Sequence, residues 1–434
     1  MKQLKKVKVV SLMLVGILLL SSVVGCSQKG SESTSGKSSG KSVSLTFMIW
    51  DINQQPGMED MVADYVKDHP NVSIEVQTVN WDEYWTKLEA AATSKTLPDI
   101  FWMHTNEFMK YATAGKLADV TKLYEDSNYY ANNFPSGLIK NFTYEGKMYG
   151  VPKDWDTIAL AYNKDLFNQA GVSYPDDTWT WETVIDAAQK IKDKTGAWGF
   201  LAPLDDQSGY LNLVKQAGGY IISEDGKKSG FTDPGTKKGI QTWISLQLDY
   251  GFSPKQATFA ETDAGSLFGS GQGAMMLLGS WNVNPYLQNY PDLNWDLAVL
   301  PKMSDPVKGD GRGTIYNGLA YSTGADNKNL DVVKDFLKYL GTEKAMIIQG
   351  KSGAAIPAYN GTAKYWVENY QDKLNVQVYE DMMEYGEQFY NSKSKSQWVS
   401  TVGDTLLEVY NGTKDLDTAL QELQTTVDEY LAGE

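Results

Sequence analysis

The chain is poor in the residues that much enzyme chemistry needs. It holds one cysteine, Cys26, and two histidines, His69 and His104, in 434 residues. A lone thiol excludes an internal disulfide framework, so stability must come from core packing. Two imidazoles leave almost no inventory for a zinc centre or a histidine-based triad, and no metal or cofactor is expected. Arginine is as scarce, for Arg312 stands alone among 39 basic residues. The bidentate clamp usually set against phosphate or carboxylate is therefore missing, although Lys and helix N-termini can still hold an anion. Positive charge is outnumbered, with 54 acidic residues and a net charge of −15. So acidic a chain repels polyanions. Outside the first residues no basic run carries interleaved aromatics, and no nucleic-acid partner is expected.

Aromatic surface and length are abundant. The 13 Trp and 26 Tyr supply core volume and flat apolar platforms alike. The length buries a large core and implies two domains or one bilobal unit. The N-terminus reads as an address. Lys2, Lys5, Lys6 and Lys8 precede an apolar run over residues 9–24, a basic n-region followed by a short h-region. The run contains serines and is marginal as a membrane span. It ends in Val23-Val24-Gly25-Cys26, which resembles the lipobox of bacterial lipoproteins. The resemblance implies that residues 1–25 are a removed signal peptide and that Cys26 is lipidated. An unmodified thiol beside an ordinary cleavage site is the alternative. Residues 26–42 then read as the lipidated Cys and a disordered Ser/Gly/Lys tether.

Past the tether, Val43, Leu45, Phe47 and Ile49 alternate with the period of a strand. Met58, Met61, Val62, Tyr65 and Val66 follow helical spacing, Val72, Ile74 and Val76 alternate again, and Tyr84, Leu88 and Ala91 mark a second helix. Residues 97–103 read as a short buried strand, and residues 106–114 as a helix stopped by Gly115. This β-α-β-α-β-α order predicts an α/β fold whose sheet is mainly parallel, with helices on both faces. Ligands of such sheets bind beyond the carboxyl ends of the strands. Trp50 and Asp51 fall at one such end, Trp102 and Asn106 at another. Further helices are predicted over residues 181–192, 236–250 and 332–340, and a helical C-terminus from 342 onward. Residues 269–274 fit G-x-G-x-x-[GA], but a dinucleotide fingerprint follows a strand and opens a helix. Here that order is reversed, and the reading is rejected.

Residues 146–165 predict a hairpin, with strands over 147–151 and 157–162. Between them lie Lys153, Asp154, Trp155 and Asp156, two carboxylates and an indole in one four-residue turn. Loops on rigid scaffolds often carry function, and an indole exposes a large apolar face unless something covers it. A Trp folded back onto the core beside solvated acids is the alternative. The segment YGVPKDWDTIALAYNKDLF resembles the first lobe crossing of the solute-binding proteins of ABC sugar importers, the class that includes maltose-binding protein. TWTWETVIDAAQKI, GQGAMMLLGSW, WDLAVLP and residues 314–322 resemble further landmarks of that family, in order, and the resemblance spans nearly all of residues 43–434.

The resemblance implies a bilobal periplasmic-binding-protein-like fold. It has two mainly parallel sheets flanked by helices, three hinge crossings near Asp156, Leu297 and Gly341, and a helical C-terminus. Residues 43–156 and 299–341 would form lobe 1, and residues 157–298 and 342–434 lobe 2. Asp156 is implied to touch sugar hydroxyls, Trp281 to be delivered to the cleft by a small strand, and Asn317 to lie on a cleft-lining strand. Trp179 and Trp181 read as packing. Trp398 stands roughly where related proteins offer an aromatic residue to sugar, with core packing the alternative.

Sugar rings present C–H faces and rims of hydroxyls. A binder therefore needs aromatic platforms and Asp, Asn or Glu partners, since a buried polar group left unpaired costs roughly 1–3 kcal/mol. Trp50, Asp51, Trp102, Asn106, Trp155, Asp156, Trp281 and Asn317 have that mixture, although each Trp taken singly also suits a core. A glycoside hydrolase also offers paired acids among aromatics, about 5–9.5 Å apart. Asp154 and Asp156 lie in no recognisable catalytic motif, which weighs against that class. Binders of polyamines, peptides or glycerol phosphodiesters remain open alternatives, since cations too stack on rings. The reading adopted is a monomeric, lipid-anchored receptor at the extracellular face of a membrane, with a Lys-heavy composition suited to a Gram-positive surface. It performs no chemistry. It captures a mono- or oligosaccharide and passes it to the permease subunits of an ABC importer.

Overall fold

The computed structural model describes residues 42–388 and 390–434; Cys26, the leader and nearly all of the tether lie outside them. The first predicted elements fold in the predicted order. They are β1 (Val43–Ile49), α1 (Gln55–Asp68), β2 (Val72–Thr78), α2 (Trp81–Ser94), β3 (Ile100–His104) and α3 (Thr105–Thr113). Local chemistry sets the boundaries. Pro56 sits in the first turn of α1, where its missing N–H is not needed. Asn80 caps α2 by accepting a hydrogen bond from the Glu83 amide at 3.1 Å. Both neighbours of β1 run parallel to it, with Ile49 opposite Thr78 and Phe47 opposite Ile100.

The sheet is mixed rather than mainly parallel. Its order is β2, β1, β3, Leu319–Ser322, Val151–Pro152, and the last two strands join antiparallel. The α-helical crossovers that enforce parallel pairing exist only between the first three strands. Leu319–Ser322 returns from elsewhere in the chain and enters from the opposite end. The second sheet departs further from expectation. Trp295–Ala298, Ile158–Asn163 and Met275–Gly279 pair antiparallel throughout. Both of its faces are covered. Ile158, Leu160 and Tyr162 enter one apolar cluster, while Ala159 and Ala161 enter the other, as the two-residue period of a strand requires.

The hairpin expected over residues 146–165 is not formed. Lys147–Met148 pairs with Thr143–Tyr144, Val151–Pro152 closes the first sheet, and Ile158–Asn163 is the central strand of the second. The intervening turn is therefore a passage between sheets. Returning chain meets it there: Leu300, Met303 and Ile315 still pack in the cluster on the far face of the second sheet, and Leu319 is back in the first sheet. Asp156 and Asn317 form a two-residue bridge between outgoing and returning segments. Gly318 makes this approach possible, because a Cβ there would lie 2.3 Å from the Asp154 carbonyl oxygen. The helix Glu343–Lys351 and strand Ile356–Pro357 stay with the first sheet, where Gln349 accepts from the Tyr321 hydroxyl and Ile356 pairs with Trp155. Helices Lys395–Tyr410 and Leu416–Ala432 cover the second sheet's outer cluster. Ser42–Glu434 cluster as one compact unit. Among the described residues no helix is long and apolar enough to cross a membrane.

Candidate ligand-binding site

A cavity of about 620 Å³ opens between the two sheets. One wall is made by chain ends of the first sheet. Trp50 and Asp51 follow the end of β1, α2 opens with Trp81, and β3 ends at His104. The passage between sheets supplies Asp154, Trp155 and Asp156 as the floor. The opposite wall carries Asp205 and Gln207 together with Ser280, Trp281 and Asn282. Four indoles and four carboxylates thus face one space.

Each group is held by identifiable bonds. Asp51 caps the short 3-10 turn Ile52–Gln54, accepting from the Asn53 amide at 2.9 Å, Asn53 Nδ2 at 3.0 Å and Gln54 Nε2 at 3.0 Å. Trp50 stands in perpendicular contact with Trp81 (5.2 Å between ring centres) and with Trp102 (5.0 Å). Trp85 lies 5.7 Å from Trp50 and 5.5 Å from Trp81. Asp156 Oδ1 accepts from Gln207 Nε2 at 2.6 Å and from the Asn317 amide at 3.2 Å. Burial, reinforced by the neighbouring Asp154 charge, pushes the Asp156 carboxyl well above the ordinary carboxylate range. Asp205 caps the one-turn helix Asp206–Tyr210 by accepting from the Ser208 amide, and burial followed by the Asp206 charge pushes it up to about 7. Trp281 folds back over its own strand, and a Cβ on Gly279 would lie 2.1 Å from its ring.

His104 is neutral. Its Nδ1 faces the Asn106 backbone N–H at 3.1 Å and must accept, so the ring proton sits on Nε2, 2.9 Å from the Asn317 side-chain amide. That amide is then turned with its oxygen toward the histidine. Burial drops the imidazole to about 3. With both nitrogens engaged, His104 offers its ring to the cavity and no titrating proton.

Of the sequence-derived candidates, Trp50, Asp51, Trp155, Asp156 and Trp281 line this cavity. The others do not. Trp102 is 0 % exposed and lies beneath Trp50, its face covered by Lys153 Nζ at 4.2 Å. β3 is buried over its first four residues, so strand alternation carried no information about which way its Trp faced. Asn106 sits in the first turn of α3, where its backbone serves His104. Asn317, 1 % exposed, supports the site from behind, its side-chain amide bridging Thr105 Oγ1 and His104. Trp398 is 4 % exposed in the second sheet's outer cluster, its indole N–H bonded to Ser392 Oγ at 2.9 Å. Residues not singled out from sequence are Trp81, His104, Asn53, Asp205 and Gln207. The end-of-strand rule that selects Trp50 also selects Trp81, three residues past β2. Nothing local marks Asp205 or Gln207, which reach the cavity on the turn that leads into the helix Leu211–Gln216.

A family model of bacterial extracellular solute-binding proteins matches residues 51–347, well over half of the chain. The chain belongs to that family, one of binders and not of enzymes. It is 28% identical over 380 residues to the galactooligosaccharide-binding protein of Bacillus subtilis (strain 168), spanning 84% of this chain and 83% of that one. It is 26% identical over 345 residues to the arabinooligosaccharide-binding protein of the same organism, spanning 77% and 76%. Among solved structures it resembles an ABC substrate-binding protein from Listeria monocytogenes in complex with cycloalternan, with a TM-score of 0.81, 23% identity, and 90% and 100% of the two chains covered. A cyclic alpha-maltosyl-1,6-maltose binding protein from Arthrobacter globiformis gives a TM-score of 0.77 at 24% identity, with 91% and 100% covered. The fold is accordingly the α/β periplasmic-binding-protein-like fold, with mixed sheets and a helical C-terminus.

Proposed function

We propose that this protein captures a mono- or oligosaccharide in the cavity between its sheets and delivers it to the membrane permease of an ABC importer. The observation that carries the reading is the lining itself: Trp50, Trp81, Trp155 and Trp281 around Asp156, Asp205 and Gln207. Indole faces suit the C–H faces of sugar rings, and carboxylates and amides suit their hydroxyls. Oligosaccharide binding by the two Bacillus subtilis relatives supports it. The two sheets are read as two lobes, connected by the passage at Asp156, by the return at Asn317 rather than near Leu297, and by the segment near Tyr379 rather than near Gly341. The Tyr379 carbonyl accepts from Thr157 Oγ1 at 2.6 Å, and its hydroxyl donates to the Leu278 carbonyl at 3.2 Å. Lys153, Asp154 and Asn317 hold the floor. Asp51, Asp156, Trp50, Trp155 and Trp281 meet the ligand. The protein is taken to act as a monomer, tethered by a lipidated Cys26 at the outer face of a cell membrane.

A thermal-shift screen against mono- and oligosaccharides tests the binding. A ligand at 100 times its Kd that binds only the native state adds about 2.7 kcal/mol and raises the melting temperature. A melting temperature unmoved by every sugar overturns the proposal. Carboxylates beside indoles also suit a polyamine, and a shift with spermidine but no sugar would replace the reading with that one. Anchoring is tested separately by fatty-acid labelling of cells, where equal label on wild type and Cys26→Ala excludes lipidation at Cys26.

A further inference from the structure

Four carboxylates line the cavity, but they are not equally available. Asp51 gives both oxygens to Asn53 and Gln54, and Asp154 gives Oδ1 to the Leu319 amide and Oδ2 to Lys153. Asp156 spends Oδ1 on Gln207 and Asn317, and Asp205 spends Oδ1 on Ser208. Their Oδ2 atoms remain for a ligand. Among the described residues no Lys or Arg lines the space. The two lysines behind its walls, Lys153 and Lys395, are each 0 % exposed, and Lys153 is already paired with Asp154 at 2.5 Å. Arg312 is committed elsewhere, to the Asp177 carbonyl and the Tyr385 ring.

Resting on the saccharide reading above, we infer that the cavity selects its sugar by charge: it takes neutral and amine-bearing saccharides and turns away those carrying a carboxylate, phosphate or sulfate. An anionic group entering here loses hydration, meets Asp156 and Asp205, and finds no Lys or Arg on the lining to pair with. The discrimination thus comes from an absence of counter-charge and needs no clash of shape. An ammonium meets the opposite conditions, two open carboxylate oxygens and indole faces that attract cations. The upward displacement of both carboxyls has the same origin, since burial and neighbouring acids already make negative charge costly at this place.

The test compares galactotriose with trigalacturonate, and cellotriose with the glucosamine trimer, by calorimetry and by competition at pH 7.5. At least one neutral or amine-bearing trimer is expected to bind, and trigalacturonate is expected to bind at least a hundredfold more weakly than the tightest of them. In Asp205→Asn, which keeps the oxygen that accepts from Ser208 and removes the charge, the ratio is expected to fall at least threefold. Circular dichroism checks that this variant is folded. Trigalacturonate binding within a hundredfold of the best neutral or amine-bearing trimer, or a ratio unchanged in the folded variant, overturns the inference while leaving saccharide binding intact. Silence from all four trimers overturns both.

Discussion

At Asp156 the demands of binding and of folding separate. Asp156→Asn retains an oxygen for Gln207 and for the Asn317 amide, so the ligand-free melting temperature should hold. What is lost is the carboxyl's hydrogen bond with a ligand hydroxyl, worth about 0.5–1.5 kcal/mol, or about two- to tenfold in affinity by calorimetry. A folded variant binding as wild type would remove Asp156 from the ligand's partners. The indoles divide the same way. Trp281→Ala should cost roughly 1–3 kcal/mol of apolar contact with ligand, a five- to hundredfold weaker Kd. Trp398→Ala should instead cost about 3–5 kcal/mol of stability and leave affinity alone. Urea melts and titrations of both variants check the pair. Asp205 adds a pH signature. Its carboxyl titrates near 7 in the folded protein and near ~3.9 unfolded. Between those values the native state holds a proton that the unfolded state has lost, so this contribution to stability is full below the lower value and disappears as pH rises through the upper. The melting temperature of ligand-free Asp205→Asn should therefore gain on wild type between pH 5 and pH 8. A constant gap across that range would contradict it.

At the scale of elements, Lys153 is the knot. Its amide donates to the Leu319 carbonyl at 2.8 Å, and its carbonyl accepts from Gln349 Nε2 and the Ala358 amide, each at 3.1 Å. Its ammonium reaches Gln54 Oε1 at 2.8 Å and Asp154 at 2.5 Å. One residue thus joins the passage strand to the first sheet, to the helix Glu343–Lys351 and to the turn under Asp51. Lys153→Met should destabilise by about 3–5 kcal/mol, because it strands the buried Asp154 charge, and adding Asp154→Asn should recover part of that. A double mutant no more stable than the single would rule out the charge as the cause. None of this was legible in the sequence, where Lys153 reads only as one residue of the turn before Asp154. Its partners lie far along the chain, and no local period encodes them. What is encoded locally was read correctly: the β1-to-α3 order, the packing of Trp179 and Trp181, and the end-of-strand placement of Trp50. Long-range pairing explains the failures too. It divides residues 147–163 between two sheets, makes the second sheet antiparallel, and buries Trp102 and Trp398.

At the scale of the molecule, the proposed lobes meet where the strands near Asp156 and Asn317 run side by side. Adjacent strands of this kind bend more readily than they shear, which favours hinge closure around a ligand. A ligand shifts that equilibrium only by contacts that differ between the open and closed states. Trp50 and Asp51 stand on one wall, Gln207 and Trp281 on the other, so one molecule can touch both. Saturating saccharide should reduce the radius of gyration in solution scattering, and Trp281→Ala should weaken the response along with the affinity. A radius unchanged at saturation would mean that the cavity is filled without closure.

The cluster of indoles at and behind one wall has an optical consequence. Trp50, Trp81, Trp85 and Trp102 lie with neighbouring ring centres 5.0–5.7 Å apart, near enough to share excitation energy before any one of them emits. A photon absorbed deep in the core at Trp102 can therefore be emitted from the rim at Trp81. A saccharide that settles against Trp50 or Trp81, as proposed, is expected to change the colour and brightness of the whole group, so a titration followed by the protein's own ultraviolet emission would track the filling of the cavity.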